Sequence, residues 1–244
     1  MKKLLLLSTL IFSFDALADD HLPANYSMYQ TNFLFNCPEP EQCFAAFDKY
    51  MNSPMVVKEK FEVDFLAVQQ NGWDDSTHGV SWYYKDEDQY ARAGELFATS
   101  QAGRDFRKSM NDIGVEIISD NLTIHTVGVT NTGDSSTNRV TLRWSHEVTD
   151  PAMFLPLWTN FAKSIEGNDW SANAYGLQSH LLGNNGNGIT HEIWASFNTP
   201  QDALKFLSGM YSSEEFAKFS PESRKYAIFK RSYMEVSLKQ YNPD

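Results

Sequence analysis

The strongest constraint in this sequence is that it resembles itself. The segment His78-Gly-Val-Ser-Trp-Tyr-Tyr-Lys-Asp-Glu-Asp-Gln-Tyr-Ala returns, in pattern, as His191-Glu-Ile-Trp-Ala-Ser-Phe-Asn-Thr-Pro-Gln-Asp-Ala-Leu. One offset of 113 residues carries His78 onto His191, Val80 onto Ile193, Tyr84 onto Phe197, Phe97 onto Met210, Ser100 onto Ser213 and Phe106 onto Phe219. No gap is needed across these 29 positions. A chain made of two like units must fold each in the same way and bury what each leaves open.

Periodicity supplies the elements of each unit. In the second copy, Arg139 to Glu147 alternates apolar Val140, Leu142 and Trp144 with polar Thr141, Arg143 and Ser145, the pattern of a half-buried strand. Asp150-Pro151 opens a helix to about Ser164, by an N-cap followed by a first-turn proline. Ala172–Leu182 and Thr190–Phe197 read as strands around the loop Gly183-Asn-Asn-Gly-Asn-Gly188. Thr199-Pro200 caps a helix over 200–225, with Ala203, Phe206, Leu207 and Met210 at helical spacing, and a last strand covers Ile228 to Lys239. The first copy predicts strands near Asn32–Asn36, Val63–Gln70, Gly79–Tyr84 and Val115–Val127, and helices near Glu39–Asn52 and Glu87–Met110. The fold class expected is α+β: two β-α-β-β-α-β, ferredoxin-like repeats at 28–128 and 138–241, joined by a Gly/Thr/Ser/Asn-rich linker at 129–137. Each repeat leaves one sheet face uncovered by its own helices, so the two faces can be buried together.

The strand His191-Glu-Ile-Trp-Ala-Ser-Phe, a polar helix start, and then Leu207-x-x-Met210-Tyr-Ser-Ser213-x-x-Phe216 resemble the dimeric α/β-barrel superfamily. That superfamily includes antibiotic-biosynthesis monooxygenases, stress-responsive barrels and NIPSNAP-like proteins. The resemblance implies a single-chain version of their homodimer, hence a monomer, and it marks fold rather than chemistry.

If Val140, Leu142 and Trp144 face the helices, then Thr141, Arg143 and Ser145 face a cavity. Pairing Gly183 with Gly188 puts Leu177 opposite Trp194 and Ser179 opposite Glu192, with Ala174, Gly176, Ile193, Ala195 and Phe197 on the helix side. The last strand adds Arg231, Tyr233 and Glu235. Arg143, Tyr175, Glu192, Trp194, Arg231 and Tyr233 then form an expected ligand-binding pocket for a small apolar or aromatic molecule, planar or acidic. The competing reading is that Arg143, Glu192, Arg231 and Glu235 only neutralise one another where two sheets meet.

The same register sets His180 opposite His191, a weak metal-ligand pair; His146 is expected at the opposite edge from His191, and His78 and His125 stand alone. Haem enzymes of the chlorite-dismutase type and haem-degrading monooxygenases carry their ligand histidine on a helix, and the predicted helices hold none. No phosphate loop, nucleophile elbow, His-Glu-x-x-His or dinucleotide fingerprint occurs. No cofactor is therefore expected. Two functions remain: a small-molecule binder, including a cofactor-free monooxygenase-like enzyme whose substrate supplies the electrons, or a non-catalytic interaction protein with a filled barrel.

Lys2-Lys3, the apolar run Leu4–Phe14 and Ala16-Leu17-Ala18 predict a signal peptide cleaved after Ala18 and a periplasmic or secreted protein. The only cysteines, Cys37 and Cys43, predict one local disulfide; a metal site would need two more ligands, and a redox pair would favour Cys-x-x-Cys. A formal charge of −11 excludes a nucleic-acid partner, which requires a basic face. No apolar run reaches the length of a membrane span. Asn25 and Asn121 head Asn-x-Ser/Thr sequons.

Overall fold

A computed structural model describes residues 27–72, 74–130, 135–183 and 187–243. The expected signal peptide, Asn25 and part of the expected linker lie outside the described residues. The first half runs β1 (Tyr29–Asn36), α1 (Pro40–Met51), α2 (Pro54–Val57), β2 (Glu62–Gln69), β3 (His78–Tyr84), α3 (Glu87–Thr99), α4 (Gln101–Ile113) and β4 (Glu116–Thr130). The second runs β5 (Val140–Val148), α5 (Pro151–Ser164), β6 (Ala174–Leu182), β7 (His191–Phe197), α6 (Pro200–Ser212), α7 (Glu214–Ser223) and β8 (Ala227–Tyr241).

The helix starts follow from local chemistry. Asp86, Asp150 and Thr199 accept backbone N–H bonds from Gln89, Met153 and Asp202, and Pro40, Pro151 and Pro200 occupy first-turn positions where no N–H is needed. The two long helices expected at 87–110 and 200–225 are each broken in two. Ser100 (φ −72°, ψ 155°) and Ser213 (φ −78°, ψ 149°) are extended, and each hydroxyl caps the next helix by accepting from Gly103 N or Phe216 N. A serine that can cap competes with its own place in a helix interior.

All strand pairs are antiparallel and close into a barrel of order β1-β3-β2-β8-β5-β7-β6-β4, so β2–β8 and β4–β6 are the seams between halves. The helices cover the outside. Phe47, Val63, Phe65, Val80 and Leu96 pack under the first half's helices, and Val140, Leu142, Phe197, Ala203 and Phe206 under the second's. Cys37 and Cys43 are joined by a disulfide that ties the end of β1 to α1. No helix among the described residues is long and apolar enough to cross a membrane. Asn121 is buried and its side chain accepts from Asn32 Nδ2 at 3.2 Å, so in the folded protein it is not open to modification.

One register differs from expectation. Gly176 lies opposite Trp194, Leu177 opposite Ile193 and Gln178 opposite Glu192, a slip of one residue along β6. Such a slip turns every side chain of the strand to its other face. Packing decides it: Leu177, 0% exposed, belongs with Trp158 and Phe154 under α5. Gly176 must face the barrel interior, where a Cβ would stand 2.6 Å from the Trp194 ring.

Candidate functional site

The barrel interior is filled by its own polar side chains. Arg143 on β5 is fully enclosed; its Nε donates to Glu235 Oε2 at 2.5 Å and its Nη1 to Glu192 Oε2 at 3.5 Å. Ser145 Oγ and Tyr233 OH donate to Glu192 Oε1 at 2.9 and 3.1 Å. Burial works against the Arg143 charge, but the Glu235 and Glu192 carboxylates hold the guanidinium protonated. Burial also pushes Glu235 up, whereas for Glu192 the penalty of burial is outweighed by Arg143, which holds that carboxyl down. Arg143 Nη1 also donates to Gln178 Oε1 at 3.4 Å, and the Gln178 amide reaches Gln30 and His125. From Gln30 the network runs through Asn32 to Ser81 and Asn121.

Of the six residues expected to form one pocket, Arg143, Glu192 and Tyr233 are brought together in this network. Trp194 lies beside them, over Gly176 and edge-on to His125. Arg231 sits further along the same face, paired with Asp74 and 4.8 Å above the Tyr233 ring. Tyr175 is on the opposite face, with the apolar side chains under the helices, and its hydroxyl donates to Glu166 at 3.0 Å. The slip of β6 is the cause.

The histidines also sit differently. Ser179, not His180, lies opposite His191, and His180 N donates to Thr190 O instead. His146 is directly paired with His191, because β5 and β7 are antiparallel neighbours and the end of one meets the start of the other. Burial, then His180 and His146, pull His191 down to about 4, so it is neutral at pH 7. Among the described residues no three His, Cys, Asp or Glu side chains group to hold a metal ion.

Open space lies outside the barrel, between sheet and helices, once in each half. The second half's chamber has a volume of about 310 Å³ and the first half's about 640 Å³. The smaller is walled by Trp158, Phe161, Phe206 and Met210, with Tyr175, Ile193 and Trp194 contributed by the sheet. His146 lines it too, between the rings of Phe154 and Phe229. His146 Nδ1 lies 3.1 Å from Trp144 O; a carbonyl only accepts, so Nδ1 carries the proton. Burial lowers the pKa of this ring. A neutral histidine with Nδ1 protonated has Nε2 as its basic nitrogen. Alternation along β5 already implied this side: position 146 shares parity with Val140, Leu142 and Trp144. The described histidines all stand on strands.

No known family model and no curated protein sequence matches the chain. Solved structures do. A proposed monooxygenase of Fusobacterium nucleatum superposes with a TM-score of 0.60 at 13% identity, over 88% of this chain and 93% of that one. The fold is that of the dimeric α/β barrels. An anthrone oxidase-like protein matches with a TM-score of 0.59 at 12% identity, over 91% and 97% of the two chains. A proposed monooxygenase of Lactobacillus acidophilus gives 0.56 at 9%, over 88% and 96%. At these identities the likeness establishes a monooxygenase-like barrel architecture.

Proposed function

We propose that this barrel binds a flat, apolar or aromatic small molecule in the second half's chamber and oxidises it without a cofactor. The observation that carries the reading is the 310 Å³ aromatic chamber that brings Trp158, Tyr175 and the neutral His146 together. Its size is that of ordinary ligand pockets, which are mostly apolar with a few placed polar groups. In this reading the rings hold the substrate plane, His146 Nε2 accepts an acidic proton from it, and the resulting electron-rich anion reduces dioxygen. Anthrone is a fitting trial substrate: with one O2 it yields anthraquinone and one water. Oxygen uptake with anthrone that is lost in His146→Phe, with binding retained, supports the reading. No binding and no uptake in the intact chain refutes it.

The finer organisation belongs to the same proposal. The matching element order of the two halves supports a tandem pair of ferredoxin-like units acting as a monomer, and Lys2 to Ala18 support export to the periplasm or medium. A second reading, a non-catalytic interaction protein, is favoured by the filled barrel interior around Arg143. Native mass spectrometry of protein from its own host separates the two by whether a small molecule travels with the chain.

A further inference from the structure

We infer that the first half's chamber is a second, independent ligand site, for an uncharged, flat, predominantly apolar molecule larger than the second chamber admits. The helices α3 and α6 correspond residue for residue at the 113 offset, with caps Asp86 and Thr199 at one end and Ser100 and Ser213 at the other. Within that frame Gly94 stands where Leu207 stands, and Ala91 where Leu204 stands. Leu207 is half-buried and packs onto the second half's core. Gly94 and Ala91 instead line the larger chamber.

A glycine inside a helix is unfavourable relative to alanine, and a structural reason is usually visible as a close contact. It is visible elsewhere: a Cβ at Gly103 would stand 2.2 Å from Phe97 O, and one at Gly209 2.5 Å from the Trp170 ring. At Gly94 a Cβ would meet nothing within 4 Å. Gly94 and Ala91 are exposed at the chamber's rim, so a side chain at position 94 would stand over the opening rather than pack against a neighbour. That opening leads to the buried rings of Trp82 and Tyr50 and the half-buried ring of Phe106, an aromatic interior. Around its mouth stand Ile117 (56% exposed) and Leu182 (63% exposed), apolar surface that a large ligand would cover. Arg107 lines the chamber, donating to Phe97 O and Ala98 O and lying 5.1 Å above the Phe97 ring, and Asp120 lines it too, so the lining carries one charge of each sign and suits a ligand without net charge.

Nile red, an uncharged fused-ring dye, is the probe. Titrated into the full chain, it should give saturable, blue-shifted emission. Gly94→Leu should weaken binding by about tenfold or more while leaving the melting temperature equal or higher, since its Cβ meets no neighbour and leucine favours the helix. Ala91→Leu, one turn away on the same wall, should weaken it in smaller measure. Ile193→Trp, which fills the other chamber, should leave Nile red binding unchanged. Wild-type protein that does not bind the dye, Gly94→Leu binding as tightly as wild type, or loss of binding in Ile193→Trp would each overturn the inference. Anthrone binding by Gly94→Leu reads the second half's chamber separately, so this site and the proposed function can fail independently.

Discussion

The two halves place different chemistry at positions one 113-residue offset apart. At the 113 offset Gln30 corresponds to Arg143 and Asn32 to Ser145, all four buried inside the same barrel. In the first half, neutral amides satisfy one another and need no charge. In the second, one guanidinium requires two carboxylates, and the three are stable only together. On the outer face the contrast reverses: the first half leaves a wide chamber beside Gly94, while the second narrows its chamber and adds His146 where the first has Phe33. The lesson is that a barrel position fixes direction and burial, whereas the neighbours determine whether a polar group there is cheap or costly.

The largest test makes the second interior imitate the first. Arg143→Gln should leave Glu235 and Glu192 buried without a cation and lower stability by about 3–5 kcal/mol in urea unfolding. Adding Glu192→Gln and Glu235→Gln should restore most of it. A single variant as stable as wild type would show that the two interiors are energetically alike.

Next, buried groups of both halves should make stability depend on pH. His125 is pulled down to about 3 and His191 to about 4, in both cases chiefly by burial. Their unfolded forms bind protons below about 6.5 while the native forms refuse them. Stability should therefore fall as pH drops from about 6.5 toward 4, on the order of 1–3 kcal/mol. Asp64, at the β2–β8 seam and bonded to Ser237 Oγ at 2.9 Å, acts in the opposite sense: burial pushes it up to about 7. Native Asp64 keeps its proton where the unfolded chain has lost it, so its contribution declines as pH rises from about 4 to 7. Melting curves of His191→Asn should show a flatter acid limb, and those of Asp64→Asn a flatter limb toward neutrality.

Two glycines give the smaller effects, of opposite sign. Gly176→Ala puts a Cβ 2.5 Å from Val127 O and against Trp194, and should cost about 2 kcal/mol. Gly94→Ala meets open space and should gain about 0.5–1 kcal/mol through the helix alone. Equal responses at the two sites, measured by denaturant midpoint, would remove the distinction between a packing glycine and a chamber glycine.

Sequence by itself determined the elements whose causes are local. The alternation along β5 placed Val140 and Leu142 under the helices and Arg143 inside, and the caps at Asp86, Asp150 and Thr199 opened the helices where they begin. The pairing of Cys37 with Cys43 was equally legible. Ser100 and Ser213 carried their capping signal in the open, but it was masked by apolar spacing that runs on through both helix pairs. What only the tertiary structure decided is relational. The face that β6 presents depends on what α5, Trp194 and β4 leave room for, so loop glycines could not fix its register, and Tyr175 left the expected pocket. The meeting of His146 with His191 depends on which strands are neighbours, and the chambers depend on how far helices stand from a sheet. Local propensity acts within a few residues of chain, whereas register and cavities are set by contacts between segments far apart in it.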